Sequence, residues 1–436
     1  MNDLKKEIWS QTRLLVKVGL IGLIMAVLMI PTWQVRELIR EREARQQEAV
    51  KEVSSKWAGR QVLTGPQLVL PYRSSAPTLR GDTVTTVLHA VLLPDSADVR
   101  GNVQPKEKHR GIYTVMLYSA SVQLSGSFRA PDLAALRIDP AQVLWGDAFV
   151  RMQVDDLRGL SGELALRWND RTLRFSPEPS TSDSGTVLTA PLPLAGIADL
   201  EGARFNGAIA LNGAQQLRVA PLGRRSSITL ASSWPHPSFS GDGLPEEQQV
   251  TKSGFTATWI LGANQRQLPQ QFLAADRGRS FSPAPMSVGV DLFQPVGAYQ
   301  KTMRSIKYAL LCILLTFAAF FLMERVHQKA VHPFQYGLIG LALVLFYVLL
   351  LSFSEYVGFN GAYAIASVAT IGLITWFVRG VLESGRLSVL LAAVLVLLYG
   401  YVFTILQLQD YALLLGSVGL FATLAVTMHF SRRIKW

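Results

Sequence analysis

A single cysteine, Cys312, stands among 436 residues. No disulfide can form within the chain, so any part folded outside the cytoplasm must rest on its own core and ladder hydrogen bonds. Histidine is nearly as sparse. The six histidines fall at positions 89, 109, 236, 327, 332 and 429; only His327 and His332 are near one another, and with no cysteine beside them they do not read as a zinc site. The chain has no Gly-x-Ser-x-Gly elbow, no His-Glu-x-x-His and no Gly-x-x-x-x-Gly-Lys phosphate loop, so the marks of common hydrolases and nucleotide enzymes are missing. The adjacent carboxylates Asp155-Asp156 and Glu246-Glu247 read as solvated pairs. No metal, no cofactor and no catalytic activity is expected on these grounds.

Charge is also missing, over long stretches. Residues 1–33 and 305–436 are strongly apolar, whereas 34–304 read as a water-soluble domain. Leu387–Leu406 holds 20 residues without a charge, 13 of them Leu, Ile, Val or Phe. At a rise of about 1.5 Å per residue this covers about 30 Å, the thickness of bilayer hydrocarbon. Leu14–Trp33, Ser305–Met323, Phe334–Phe353, Gly361–Val378 and Tyr411–His429 behave alike, which gives an expected six transmembrane helices. The first run ends Met29-Ile30-Pro31-Thr32-Trp33, with no small-x-small cleavage site, and reads as an uncleaved anchor.

The net charge of +11 does not point to nucleic acid. Between Gln34 and Ser305 there are 30 Lys/Arg and 25 Asp/Glu, spread without a basic stripe. The rest of the excess lies between and beside the apolar runs. Lys5, Lys6, Arg13, Lys17, Arg325, Lys329, Arg379, Arg386, Arg432, Arg433 and Lys435 share one side if six spans hold, and the short loops Ser354–Asn360 and Gln407–Asp410 on the other side carry no positive charge. Positive charge marks the cytoplasmic face, so both termini are expected there and the large domain outside. Arg36, Arg40, Arg42, Arg45, Lys301, Arg304 and Lys307 count the other way, but flanks of a long translocated domain weigh less. The expected division is a cytoplasmic segment 1–13, an anchor 14–33, a juxtamembrane helix 34–57, a β-rich outer domain 58–304, a five-helix bundle 305–430 and a cytoplasmic tail 431–436.

The outer domain reads as short strands and turns. Trp33–Trp57 leads into it as a charged helix with favourable Glu41/Arg45 and Glu52/Lys56 pairs. Val84–Leu93 and Val122–Phe128 read as strands. Leu164–Trp168 and Thr172–Phe175 flank a turn at Asn169-Asp170. Ala208–Leu211 and Gln216–Ala220 flank Asn212-Gly213, a strong hairpin signal. Pro66, Pro71, Pro94, Pro191, Pro193 and Pro221 punctuate, and Ser176–Gly185 reads as an exposed loop. The sum is an antiparallel, sandwich-like domain or two small ones. Its most distinctive run is Trp234-Pro235-His236-Pro237-Ser238-Phe239, followed by Gly241-Asp242-Gly243. Two prolines hold His236 extended between two aromatics, which makes Trp234, His236, Phe239 and Asp242 a candidate interaction loop. A rigid crossover packed by Trp234 and Phe239 is the stronger reading, since no second ligand or base lies near His236 in sequence.

Pumps and secondary transporters keep ionisable residues deep in the bilayer. Here Lys17, Lys307, Glu324, Glu355, Arg379, Glu383 and Asp410 sit at the ends of the runs. Glu355 is the deepest, and reads as an interface carboxylate. His332-Pro333 reads as the lead-in to the third run. Glu355 and His332 are the candidate membrane-interface residues.

Arg36–Arg45 (RELIREREAR), Gly65–Pro71 (GPQLVLP), Gly111-Ile112-Tyr113, Ser233–Pro245 (SWPHPSFSGDGLP), Ser253-Gly254-Phe255, Lys307–Phe321, His332–Tyr336 (HPFQY) and Phe346–Phe359 (FYVLLLSFSEYVGF) occur in this order. In these segments the chain resembles the CreD family of inner-membrane proteins, also called cell-envelope integrity proteins. The resemblance implies a bacterial inner-membrane location with the β-rich domain in the periplasm. It also implies links to envelope integrity, the stress response, colicin tolerance and the response to β-lactams. It brings no catalytic residue, cofactor or substrate. The expected function is therefore a non-enzymatic envelope protein, held in the lipid bilayer, whose outer domain meets a periplasmic or inner-membrane protein, a lipid or a wall component; the oligomeric state is left open. The alternative is a transporter or channel for a lipid-like or envelope molecule, for which Glu355, Tyr347 and Thr375 would be required.

Overall fold

The computed structural model describes residues 2–77, 83–178, 186–266, 268–274, 286–292, 297–326, 331–408, 414–419, 421, 425 and 428. The chain divides into two units, residues 48–295 and residues 1–47 with 296–436.

The first of these units is built on two sheets. One runs in the order β13 (Ser238–Gly241), β17 (Val288–Asp291), β11 (Gln216–Val219), β1 (Gln61–Pro77), β5 (Phe149–Val154), β9 (Thr186–Pro191) and β8 (Ser176–Pro177), with β2 (Thr83–Leu92) also on β1 and β16 (Gln271–Leu273) on β2. The other runs β14 (Glu247–Thr251), β15 (Gly254–Gly262), β12 (Arg225–Ser232), β3 (Ser96–Arg110), β4 (Tyr113–Ser127), β10 (Arg204–Ala214), β6 (Leu160–Trp168) and β7 (Arg171–Arg174). Alternation along the strands sets the two faces. Val150, Met152 and Val154 of β5 enter one core with Val122 and Leu124 of β4 and Ile228 and Leu230 of β12. This is the layered, sandwich-like packing that period-2 patterning favours.

Antiparallel pairing is the rule, but β1 pairs with β11 in parallel and β3 with β12 in parallel. The Asn169-Asp170 turn is present, with Trp168 opposite Arg171. The hairpin expected at Asn212-Gly213 is not. β10 runs straight through both residues, with Asn212 opposite Ser119 and Gly213 opposite Tyr118. The chain then turns at Gln215, φ 64°, and enters the other sheet as β11. Gly213 is needed for space: a Cβ there would lie 2.3 Å from the Tyr118 hydroxyl. Pro71, read as punctuation, sits inside β1. Its carbonyl accepts from Leu144 N at 2.9 Å. The missing N–H of Pro71 faces that same side, where the β5 ladder has already ended at Val69, so no rung is lost. Of the expected loop Ser176–Gly185, residues 179–185 lie outside the described residues.

Helix α1 (Asn2–Trp57) ends inside this unit. Val50, Val53 and Trp57 pack on Val115, Leu117 and Ala214, Glu52 pairs with Arg110 at 3.0 Å, and Lys106 lies over the Trp57 ring, 5.8 Å from its centroid. The chain leaves the helix through Gly59, whose N–H donates to Asp156 Oδ2 at 2.9 Å. Gln61 then exchanges hydrogen bonds with the Asp156 backbone, Nε2 to O at 2.8 Å and N to Oε1 at 3.2 Å. Asp156 is thus no freely solvated partner of Asp155: it joins the helix exit to the loop after β5. Arg158, bonded to both carboxylate oxygens at 2.9 and 2.7 Å, holds the Asp156 carboxyl below the usual carboxylate range. An acid whose pKa is depressed on folding contributes stability above its unfolded value of about 4 and loses it as pH falls through the folded value. Asp156→Asn is expected to cost about 1–3 kcal/mol at neutral pH, a difference from the parent that shrinks in acid; urea unfolding of the β unit followed by limited proteolysis at several pH values checks this.

The second unit holds the earlier part of α1 with α2 (Ala298–Lys307), α3 (Ala309–Val326), α4 (Pro333–Leu382) and α5 (Gly385–Gln407). The expected six transmembrane helices are not supported. Among the described residues three helices are long and apolar enough to cross a membrane, Leu15–Trp57, Pro333–Leu382 and Gly385–Gln407. A fourth is added if α2 and Ala309–Arg325, bent by 45°, count as one span. The physical reason lies in the gaps. Ser354–Asn360, expected as a loop, instead carries a kink at Gly358, φ 73° and ψ 166°, where two helical stretches join within Pro333–Leu382, and the whole of that stretch makes one candidate span. Most of the run Tyr411–His429 lies outside the described residues. With the count of six goes the parity argument that placed both termini on one side.

Candidate functional site

The outward face of the second sheet carries a trough of about 980 Å³ over β3, β4, β12 and β15. A recess of about 500 Å³ shares Asp98, Arg100, Gln123 and Ser125 and extends it onto β10 at Asn206 and Ala208. The sequence makes the hollow in two ways. Outward positions that usually carry long charged side chains are short: Asn102, Ser121, Ser125, Ser227 and Thr229 line it. Two inward positions are glycine, so core side chains press close beneath the strands; a Cβ on Gly101 would lie 2.6 Å from Leu230 Cδ2, and one on Gly126 would lie 2.7 Å from the Phe205 ring. All the strands beneath the trough are paired on both sides, β15 with β14 and β12, and β10 with β4 and β6. The backbone therefore has no free edge to offer, and recognition there belongs to hydroxyls, amides, Arg225 and the Asp98–Arg100 pair, 3.0 Å apart. Thr229 and Thr258 join hydroxyls across β12 and β15 at 3.1 Å.

The Trp234–Asp242 segment is organised differently. The Trp234 indole N–H donates to the His236 carbonyl at 2.9 Å, and its ring meets the His236 ring edge-on at 6.2 Å. His236 is exposed. Phe239, on β13, packs edge-to-face on Phe255 and Trp259 at 5.8 and 5.9 Å. Asp242 Oδ2 accepts from Ser287 N at 2.8 Å and ties the end of β13 to the start of β17. Each of the four residues thus has a local partner, and among the described residues no hydrogen bond joins His236 to Asp242.

In the helical unit, Glu355 is nearly buried. Its Oε1 accepts from the Tyr299 hydroxyl at 3.0 Å, and Arg42 Nε lies 3.9 Å away. His332 caps α4: its Nδ1 accepts from Phe334 N at 3.2 Å, and Gln335 Oε1 accepts from His332 N at 3.3 Å. That is a capping box with Pro333 at the first helical position. Glu355 follows 23 residues later on the same helix, about 34 Å along it, so the two candidates do not form one site. Tyr347 lies in an aromatic cluster with Phe346, and the Thr375 hydroxyl returns to the Ile371 carbonyl at 2.6 Å.

Sequence reasoning missed a charged cluster. Lys17 of α1 forms an ion pair with the buried Glu324 of α3 and donates to the Val331 carbonyl at 2.7 Å. Tyr336 donates to Glu324 Oε2 at 2.7 Å. Both charges had been placed at separate span ends; their opposite sign was the available signal. The trough residues were missed as well, although the alternation Ser121, Gln123, Ser125 along β4 marks a face of short polar groups.

The family model for the inner membrane protein CreD matches residues 13–436, nearly the whole chain. The chain belongs to the CreD family. A CreD relative, the inner membrane protein CreD of Escherichia coli (strain K12), is 34% identical over 414 residues, covering 94% of this chain and 91% of its own. Membership in CreD makes this an inner-membrane protein with an envelope-related role, in keeping with helices long and apolar enough to cross the bilayer.

Proposed function

We propose that this CreD-family chain is a non-catalytic envelope protein whose β unit stands in the periplasm and receives an envelope ligand in the trough on its second sheet. The trough carries the reading: a hollow of about 980 Å³, near the upper end of ordinary ligand sites at about 1,000 Å³, lined by hydroxyls and amides together with the Asp98–Arg100 pair, Arg225 and the apolar Ala231 and Ile260. Such a lining offers hydrogen-bond partners to a ligand that carries polar groups, since a polar group taken from water needs a replacement partner. The periplasmic placement is supported by Lys5, Lys6 and Arg13 before the first apolar run. Envelope integrity, and with it tolerance of colicins, is the physiological role this reading gives the chain.

Ser125 is exposed on β4, so Ser125→Trp fills the trough without entering the core. The expected result is normal amount and membrane insertion, with the detergent sensitivity of a deletion strain left unrescued. In the same background Ser125→Cys is expected to react with a membrane-impermeant maleimide on intact spheroplasts, Cys312 being buried. Full rescue by Ser125→Trp, or labelling only after permeabilisation, refutes the reading.

A further inference from the structure

The register of the second sheet lays its outward residues out in rows. Arg225 stands opposite Ser96, Ser96 opposite Ser127, and Ser127 opposite Arg204, so these four cross β12, β3, β4 and β10 side by side. Residues opposite one another project to the same face, and Arg225 and Ser96 line the trough. Neighbouring strands lie about 4.8 Å apart, which sets the Cα atoms of the two arginines about 14 Å apart with the serines between them. Extended arginine side chains leaning inward can close that span. The next rows are Ser227, Asp98, Ser125 and Asn206, then Thr229, Arg100, Gln123 and Ala208.

Charge is balanced within the face and unbalanced at its first row. Arg100 answers Asp98 at 3.0 Å. Just past the first row, Asp95 is shared by Arg129 at 3.6 Å and Arg224 at 3.2 Å. The backbone holds this corner together: Asp95 N donates to the Ser127 carbonyl at 2.8 Å, and Arg225 N to the Asp95 carbonyl at 3.1 Å. Arg266, 2% exposed, spends its guanidinium on the carbonyls of Leu222 and Leu268 and on Gln270. Burial, and the neighbouring Arg224, push it below the usual arginine range. Arg204 and Arg225 are exposed and form no ion pair among the described residues. Asp95 is thus the one carboxylate paired with any of these five arginines among the described residues.

Ser96 Oγ and Ser127 Oγ lie 2.8 Å apart. One hydroxyl hydrogen makes that bond; the other has no acceptor on the protein among the described residues. Two unpaired guanidinium groups flanking a spare hydroxyl donor call for an anionic oxygen group, which an arginine fork meets with two parallel bonds. The rows beyond offer hydroxyls and amides about 4.8 Å apart across the strands and about 7 Å apart along them. A ligand with a hydroxyl on most of its carbons can use such a lattice. An extended peptide would instead seek an unpaired strand edge, which the strands beneath the trough lack.

Resting on the reading of the trough as the ligand site, we infer that its ligand is an acidic saccharide. Arg204, Arg225 and the Ser96–Ser127 hydroxyls hold its carboxylate or phosphate, and Ser227, Ser125 and Asn206 meet its sugar hydroxyls.

The test is equilibrium dialysis of the full chain in detergent against labelled chitotetraose, which is neutral, against the peptide-free wall tetrasaccharide, which adds lactyl carboxylates, and against phosphorylated chitotetraose. The acidic probes are expected to bind about tenfold or more tightly than the neutral one, and the tighter of them identifies the acid. Arg204→Gln/Arg225→Gln is expected to erase that difference, and Arg60→Gln, in front of β1 on the other sheet, to leave it. Both arginines of the double variant are exposed, so its core is kept. Equal binding of all the saccharides, abolished by Ser125→Trp, overturns the acidic assignment and keeps the trough as a site. Saccharide binding that survives Ser125→Trp overturns both. Absence of saccharide binding, or tighter binding of a tetraglutamate peptide, overturns the saccharide and leaves the trough to the rescue assay.

Discussion

Trp259→Ala is expected to lower the stability of the β unit by about 3–5 kcal/mol, the range for removing a buried aromatic ring. Trp259 is fully buried. Its indole N–H donates to the Gly243 carbonyl at 3.1 Å, and Phe239 rests on its ring. Three losses coincide in the variant: apolar area returned to a cavity, a carbonyl left without its donor, and a strand end without its support. The last reaches function, because Phe239 follows the Trp234–Pro237 crossover and β13 is an outer strand of its sheet. Trp259→Phe keeps most of the packing and loses the hydrogen bond, so it is expected to cost about 1–3 kcal/mol. A single unfolding midpoint for a chain with a membrane part is ill defined; pulse proteolysis of the β unit in urea gives the comparison. Equal resistance of Trp259→Ala and the parent protein would mean the ring is not part of the cooperative core.

Lys17→Met is expected to destabilise the helical unit by about 3–5 kcal/mol, the cost of stranding one member of a buried ion pair. Glu324 is 5% exposed. Without Lys17 it would keep Tyr336 and the Val331 N–H, at 2.7 and 3.3 Å, but no opposite charge. Lys17→Met/Glu324→Gln removes both charges, and the Tyr336 hydroxyl keeps an oxygen acceptor in the glutamine. The double variant is therefore expected to regain most of the loss. Thermal aggregation in detergent, measured for both single variants, the double variant and the parent protein, completes the cycle. Additive losses would show that Lys17 and Glu324 do not act as a pair. The cluster ties α1 to α3 and α4 through charge, where apolar helices have little hydrophobic incentive to associate in lipid.

The β-rich character of the segment between the apolar runs was legible, and its local features were legible to the extent that they are local. The Asn169-Asp170 turn follows from two short strands and a residue tolerant of positive φ. The Asn212-Gly213 signal was equally strong and misled, because Gly213 answers to Tyr118, a residue 95 positions earlier. Pro71 misled for a related reason: whether a proline ends a strand depends on which side its neighbour lies. The candidate loop was singled out by its residue types, and Phe239 packs on Phe255 and Trp259, as the stronger reading of a rigid crossover expects. The trough was not seen, since it depends on four strands separated in sequence presenting short side chains to one place.

The order of charge-free runs, the soluble segment between them and the lack of metal or nucleophile motifs were determined by the amino-acid sequence alone, because transfer from water depends on composition over a short window and needs no partner. How many helices those runs make, which charges meet, and where the sheet hollows were decided only by the tertiary structure. The Lys17–Glu324 pair and the polar face over β3, β4 and β12 rest on contacts between residues far apart in the chain, whose energies exist only once the intervening segments have folded.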